Sequence, residues 1–290
     1  MNIIRVFITI LTFALYAGCT SGRQELNVMT FNIRLNTSSD GFNEWTNRKE
    51  FSTDCIKFYD ADIVGLQEVL HGQLEDLKHF LPEYEAVGVA RQDGKTQGEY
   101  SAVMYKKERF EVFESQTFWL SEDPAKTGAK GWDAACERIV TWAYMKDRQT
   151  GKKFYVFNTH FDHRGNVARR ESSKLLLSKI QEIANGRQVI VTGDFNSVAD
   201  DEPIKIITDE SNPNHLTDTR KVAPLIYGPD WSFHGFGRTP TDRRNVIDYI
   251  FIKGNIETKR YGSVYDTKGC EENTLYLSDH NPVICTLIIK

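Results

Sequence analysis

The sequence predicts an α/β protein in which two packed β-sheets carry helices on their outer sides. Three observations predict it: about ten apolar strand patterns follow one another from Leu26 onward, amphipathic helical stretches separate several of them, and polar residues recur just after strand ends. Composition agrees. The 290 residues are 40% hydrophobic, 12% aromatic and 26% charged, which excludes disordered, collagen-like and coiled-coil chains. With 36 Lys and Arg against 40 Asp and Glu, the net charge of -4 argues against a protein that lives on non-specific affinity for duplex DNA. A nucleic-acid substrate held at a metal site stays open. The 8 prolines form no linker, so one large domain is expected.

The first 19 residues differ in kind from the rest. Arg5 precedes an apolar run from Val6 to Tyr16, after which come Ala17, Gly18 and Cys19. This is the pattern of an export signal, and a run of about eleven residues is too short for a bilayer-spanning helix of about 20. The ending resembles a bacterial lipobox with Tyr16 in place of the usual Leu. That resemblance implies an exported protein, periplasm-facing or at the outer membrane or cell surface, held to the membrane by a lipid on Cys19; ordinary cleaved secretion is the alternative. Residues 1–19 are then the signal, 20–25 a short tether and 26–290 a single domain. Cys55, Cys136, Cys270 and Cys285 remain, an even number whose wide spacings define no disulfide. Cys55, on a helix face with Phe51 and Phe58, and Cys285, inside a strand, are expected as buried free thiols.

Strands are expected at 26–35, 63–69, 85–91, 101–106, 138–147, 153–161, 188–194, 246–252, 259–265 and 282–289, and helices at 48–59, 72–80 and 167–184. In the longest helix Leu175, Leu176, Lys179, Ile180 and Ile183 mark the stripe that faces the core, while Arg169, Arg170 and Glu171 open its polar side.

The chemistry-bearing residues fall at strand ends, where α/β folds place ligands. In order they are Thr30-Phe31-Asn32-Ile33-Arg34, Gly65-Leu66-Gln67-Glu68-Val69, Asn158-Thr159-His160-Phe161-Asp162-His163, Gly193-Asp194-Phe195-Asn196-Ser197, Asp248 within an apolar strand, and Ser278-Asp279-His280-Asn281-Pro282. Singly each has an ordinary reading: Asn32 as a kink, the Gly193 run as a turn. Asp248 is different, because its charge is costly to bury without a cation or imidazole. His71, His79 and His215 stand without acidic company and are expected at the surface. No zinc pattern, phosphate-binding glycine loop, dinucleotide fingerprint or nucleophile elbow occurs.

Together and in this order, the six motifs resemble the endonuclease/exonuclease/phosphatase superfamily over residues 26–290. The resemblance implies a four-layered α-β-β-α sandwich of the DNase I type, two mixed sheets face to face with helices outside. Hydrolysis of a phosphate ester needs a divalent cation, an oriented water and donors for the developing charge. Hard Mg²⁺ or Mn²⁺ prefers oxygen ligands. Glu68 is therefore the expected primary ligand, with Asn32 offering a neutral oxygen beside it and Asp279 as a second candidate. By resemblance, Asp194 orients or deprotonates the water, and Asn196 holds a phosphoryl oxygen or fixes Asp194. His280 faces the phosphate with Asp248 behind its other nitrogen. His160 likewise donates to the phosphate, with Glu99 as its partner.

Three segments, 41–48, 130–138 and 231–236, depart from DNase I-like nucleases and resemble secreted bacterial members. Trp132, Arg138, His234 and Phe236 are expected to line the substrate groove, although aromatic packing of hairpin loops equally accounts for Trp132 and Phe236. Arg48 and Arg169 are expected as helix-surface ion pairs, and Asp162 and His163 either extend the metal site or start the loop. The expected function is a monomeric, Mg²⁺- or Mn²⁺-dependent phosphoesterase acting on a small organic, sugar or lipid-derived phosphate outside the cytoplasm. An extracellular nuclease and an inactive binding lipoprotein on the same fold are the alternatives. Replacing the anchor cysteine tests the first step: Cys19→Ser should move the protein from the membrane fraction to a soluble or unprocessed form, and a wild type wholly soluble after export would remove the lipid anchor.

Overall fold

Strand pairing divides the chain into two mixed sheets that face each other. The computed structural model describes residues 25–270 and 273–290, so the signal, Cys19 and nearly all of the tether lie outside the described residues. The first half contributes β1 (Glu25–Asn32), α1 (Trp45–Phe58), β2 (Ile63–Val69), α2 (His71–Phe80), β3 (Tyr84–Val87), β4 (Tyr100–Lys106), β5 (Phe110–Trp119) and β6 (Ile139–Asp147). Then come β7 (Lys153–His160), α3 (Asn166–Ala184), β8 (Val189–Asp194), α4 (Glu202–Thr208), β9 (Thr217–Asp218), α5 (Thr219–Val222) and β10 (Ile226–Tyr227). The chain ends with β11 (Asp248–Lys253), β12 (Ile256–Ser263), β13 (Thr267–Lys268), β14 (Leu275–Tyr276) and β15 (Val283–Ile289).

One sheet has the order β10-β12-β15-β1-β2-β4-β3, the other β5-β6-β7-β8-β11-β9. In each, a helix crosses over between two parallel central strands: α1 between β1 and β2, α3 between β7 and β8. These four strands read as nearly continuous apolar runs because both their faces are covered. Three apolar layers result. One lies between the first sheet and its helices, around Phe31, Ile56 and Leu77; another between the second sheet and α3, around Phe157, Leu176 and Phe251; and the third between the sheets, around Val28, Val156 and Ile250. Three cores mean four layers, as the resemblance implied.

Several expectations need correction. The ten-residue β5 carries no apolar run, since it is an edge strand with Glu114 and Gln116 turned to solvent. The strand expected to reach residue 91 stops at Val87, and the one expected from 259 lies at Ile256–Ser263. Cys55 and Cys285 are buried free thiols, but Phe58, the last residue of α1, is 83% exposed. Arg48 is no surface ion pair. It is fully buried and donates to the carbonyls of Ile33, Arg34, Asn43 and Leu277, tying the loop after β1 to the loop before β15. Arg169 donates to the Asp162 carbonyl instead of pairing with an acid.

Beneath the strand ends that carry the polar motifs, the sheets are joined by a buried polar cluster. Asn158 of β7 donates to the carbonyls of Leu66 (2.8 Å) and Ala102 (2.9 Å) in the opposite sheet, while its oxygen accepts from Gln67 (2.6 Å) and Thr192 (3.0 Å). Only a glycine fits across from this cluster. A Cβ on Gly65 would stand 1.9 Å from Thr192 Oγ1 and 2.6 Å from Asn158 Oδ1. Gly65→Ala should therefore cost about 1–3 kcal/mol by overpacking, read as a fall of several degrees in Tm, whereas an unchanged Tm would show that the sheets part freely here.

Candidate active site

The site forms where the central strands of both sheets end. Asn32 closes β1, Glu68 nearly closes β2, His160 closes β7 and Asp194 closes β8, while Asp248 opens β11 and His280 precedes β15. The parallel register sets His160 opposite Asp194, and the antiparallel register of β8 with β11 sets Asp194 opposite Asp248. A β-bulge in β2 between Leu66 and Val69 turns Glu68 into the cleft with φ of 60°. Asn196 has φ of 47°. An asparagine adopts this left-handed conformation readily, whereas Glu68 pays a strain of about 1–2 kcal/mol.

One nitrogen is the geometric centre. Asn32 Nδ2 donates to Glu68 Oε1 (3.1 Å) and Asp194 Oδ2 (3.0 Å) and lies 3.4 Å from His280 Nε2. Its oxygen is taken by the Arg34 backbone N–H at 3.0 Å. That oxygen keeps a second lone pair, and the Asn32 amide nitrogen acts here as a donor that gathers the acids. Glu68 Oε2 accepts from the Leu35 N–H at 3.1 Å. Burial alone would raise the Glu68 pKa, but His280, the Asn32 amide, the Leu35 N–H and Arg34 hold it below the ordinary range.

Asp194 and His280 are perturbed in complementary ways. Burial, followed by the Asp248 charge, pushes Asp194 up to about 7. Its Oδ1 accepts the Asn196 N–H at 2.9 Å, so both carboxylate oxygens are oriented. His280 Nδ1 bonds Asp248 Oδ2 at 2.9 Å, and Nε2 lies 3.7 Å from Asp194. Burial opposes its charge, yet Asp248 and Asp194 together raise it well above 6.5. The pair is a cation held by a buried acid beside a carboxyl poised near neutrality. Phe233 packs edge-on against the His280 ring at 4.9 Å.

His160 behaves differently from expectation. Burial, then Arg138 and Arg91, lower its pKa well below 6.5. The neutral ring accepts the Asn196 side-chain N–H at Nε2 (3.0 Å), which places its proton on Nδ1, 3.9 Å from Glu99 and without a hydrogen-bond partner among the described residues. Glu99 is instead held by Arg91 at 2.7 Å. Arg138 lies in the cleft wall, bonded to His163 Nδ1 (3.0 Å) and Asp162 (3.4 Å), with Nη1 buried and unpartnered among the described residues. Asp162 is a loop organiser. Despite burial, the N–H groups of Gly165 and Arg164 hold it far below the usual carboxylate range.

The remaining groove expectations are corrected. The cleft, about 420 Å³, is lined by Arg34, Glu68, Arg91, Arg138, His160, Asp194, Phe233, Asp279 and His280 among others, but not by Trp132, His234 or Phe236. His234 is buried among Trp231, Tyr265 and Tyr276 and accepts the Gly237 N–H. Phe236 covers the Arg48 guanidinium, and Trp132 belongs to a turn whose N–H is held by Glu122. Phe233, Arg34 and Arg91 were not singled out. For Phe233 the signal was the alternation through Trp231-Ser232-Phe233-His234, which puts the phenylalanine and the histidine on opposite sides. For Arg91 it was the acid Glu99 eight residues on.

The donor set suits a small hard cation. Glu68 and Asp279 stand on one wall with the Arg34 guanidinium 3.7 and 3.9 Å from them. Burial raises the Asp279 pKa and Glu68 adds to it, against the pull of His280, Arg34 and Arg48. Among the described residues, the three-membered groupings with ligand-like spacing are Asp194-Asp248-His280 and Cys136-Asp162-His163, neither of which includes Glu68 or Asp279. The first is joined internally by the His280–Asp248 bond. In the second, backbone N–H groups and Arg138 already occupy Asp162.

Asp248→Asn and His280→Ala should each lower kcat/KM by about two to four orders of magnitude, with the double variant little worse than the worse single. Multiplicative losses would show the two acting apart. The pair also sets pH behaviour. Activity should rise through about pH 7 as Asp194 ionises, and the basic limb should move down in Asp248→Asn because the charge that elevates His280 is gone. The stabilisation His280 contributes is complete below about 6.5 and is lost as pH climbs through its elevated value.

A model of the Endonuclease/Exonuclease/phosphatase family matches residues 29–280. The fold is similar to an endonuclease/exonuclease/phosphatase from Bacteroides vulgatus, 43% identical over 92% of this chain and 99% of that one, with a TM-score of 0.86. It is also similar to a mannosyl-6-phosphatase from Bacteroides thetaiotaomicron, 34% identical over 91% and 99% of the two chains, TM-score 0.85. Among curated proteins, mouse nocturnin is 25% identical over 82% of this chain, which spans 58% of nocturnin. Two mixed sheets under helices, six polar motifs meeting at their strand ends and these likenesses lead to one conclusion: the chain belongs to the endonuclease/exonuclease/phosphatase family.

Proposed function

We propose that this protein is a divalent-metal-dependent phosphomonoesterase that removes a terminal phosphate from a sugar or similar small organic phosphate outside the cytoplasm. The observation that carries the reading is the convergence of a metal-type carboxylate (Glu68), a base near neutrality (Asp194) and a cationic imidazole (His280) on the single Asn32 amide. A divalent cation held by Glu68 and Asp279 would neutralise phosphoryl charge. Asp194, its oxygens fixed by Asn32 and Asn196, takes the proton of the attacking water, a role for which a pKa of about 7 is well matched. His280 donates from Nε2 to a phosphoryl oxygen while Asp248 holds its other nitrogen.

Three arginines, Arg34, Arg91 and Arg138, share the cleft wall. That density of charge suits a terminal phosphate dianion better than a diester in a long strand, and guanidinium groups match phosphate geometry. The net charge of -4 supplies no extended basic surface for nucleic acid. The likeness to a mannosyl-6-phosphatase supports a sugar phosphate. A lipid on Cys19 would hold the enzyme at the membrane.

Purified protein should release phosphate from hexose 6-phosphates and p-nitrophenyl phosphate with Mg²⁺ or Mn²⁺, and lose this with chelator. Preferred cleavage of bis-p-nitrophenyl phosphate or plasmid DNA would overturn the monoesterase reading in favour of a diesterase or nuclease. Glu68→Ala should bring hydrolysis to background and weaken metal binding in a calorimetric titration; unchanged affinity would move the primary ligand to Asp279.

A further inference from the structure

Away from the cleft, the first sheet ends in a surface that a water-exposed protein has no use for. Residues 224–227, Pro-Leu-Ile-Tyr, are exposed one after another, with Leu225, Ile226 and Tyr227 at 56%, 50% and 81%. A run of four exposed apolar residues is a fault unless it has a partner. It continues into Val222 on one side and, across a pocket of about 490 Å³ lined by Tyr59, Leu225, Tyr227 and Tyr265, toward Phe58 beside Tyr59. The other large exposed hydrophobics among the described residues are scattered: Phe42 before α1, Phe113 on β5 and Val167 at the start of α3.

Two further observations say what covers this face. The first is where the chain enters the fold. Asn27, Thr286 and Arg260 form one cross-strand row in the pocket wall, and Glu25, two residues before Asn27, reaches Arg260 at 3.6 Å. Glu25 is six positions after Cys19, about 20 Å at full stretch. A lipid on Cys19 would therefore bring a bilayer within about 20 Å of Glu25 and of the row that walls this pocket. The second is its chemistry. Tyr59, Tyr227 and Tyr265 are amphipathic rings of the kind that settle at the headgroup level, and Arg260, paired with Glu25, and Asp266 give them a polar margin.

We infer that the face formed by Phe58, residues 222–227 and Tyr265 is laid against the lipid bilayer to which Cys19 tethers the chain. The face shares no lining residue with the catalytic cleft. The inference rests on the lipid-anchor reading, and its test separates the two. The mass of the N-terminal peptide reports whether Cys19 is lipidated, and an unmodified cysteine sinks the anchor and the inference built on it. Hydroxyl-radical footprinting reports the face. On vesicles of phosphatidylethanolamine and phosphatidylglycerol, the full lipidated chain should show at least about fivefold less oxidation at Phe58, Leu225 and Tyr227 than the Cys19→Ser chain free in buffer, with Phe42 and Phe113 unchanged. Uniform oxidation, or equal protection of Phe42 and Phe113, overturns the inference. Protection that grows with concentration in the vesicle-free Cys19→Ser chain overturns it too, because the face would then pair two copies. Leu225→Asp with Tyr227→Asp should abolish the selective protection of Phe58 while leaving hydrolysis in solution unchanged. Phe58 protection that survives the double change likewise counts against a seated face.

Discussion

The active site depends on an asparagine that touches no reacting group. Asn158 sits at the centre of the interface between the sheets and spends both hydrogens of its amide on carbonyls of the opposite sheet, those of Leu66 and Ala102. These carbonyls flank the place where β2 bulges away from β4. A bulge leaves backbone groups without ladder partners, and a buried unpaired carbonyl costs about 1–3 kcal/mol. Asn158 supplies one missing donor and so allows the distortion that swings Glu68 into the cleft. The same residue fixes how the sheets stack, because its oxygen is shared by Gln67 from one and Thr192 from the other.

With the sheets locked there, the chemistry one layer further out follows from burial. Asp194, Asp248 and His280 come within ligand-like distance of one another in a region that excludes water. Two buried acids on neighbouring strands cannot both carry full charge cheaply, so Asp194, which lies farther from His280 than Asp248 does, rises and the histidine beside both is held protonated. Asp194 becomes a usable base through burial and then the Asp248 charge, and His280 a usable donor through the attraction of both acids. Arg48 plays the matching structural part on the other wall, where one buried guanidinium satisfies three carbonyls of the β1–α1 connection and one of the loop before β15. That arrangement keeps the loop bearing Arg34 next to the loop bearing Asp279.

Backbone strain is concentrated where function needs it. Arg34, Glu68 and Asn196 all have positive φ, and all belong to the wall or floor of the cleft. For Asn196 the geometry is nearly free, whereas for Arg34 and Glu68 it is paid by the packing described above. Four other non-glycine positions adopt it, Asp60 and Asn185 where α1 and α3 end, and Trp132 and Phe236; these last two lie in loops. They shape the surrounding loops and leave the cleft itself to others.

The sequence by itself determined the two-sheet architecture, the helices α1 to α3 and the set of polar strand ends, because those depend on local periodicity and on residue types that cannot be buried without purpose. Gly193-Asp194-Phe195-Asn196 and Ser278-Asp279-His280 are legible for that reason, as is the need of Asp248 for an imidazole. Tertiary structure decided everything that depends on which way a side chain turns. The edge strand β5 shows no apolar run because one face meets water. Arg48 looks like a surface residue of an amphipathic helix until four carbonyls surround it. Neighbours in sequence also part company: Phe233 reaches the cleft while His234 is drawn into an aromatic cluster behind it. Asn32 is the clearest case, since its amide offers both an oxygen and a nitrogen. The Arg34 N–H bonds the oxygen, and that contact forms only once β1 ends and the chain turns in the left-handed conformation at Arg34.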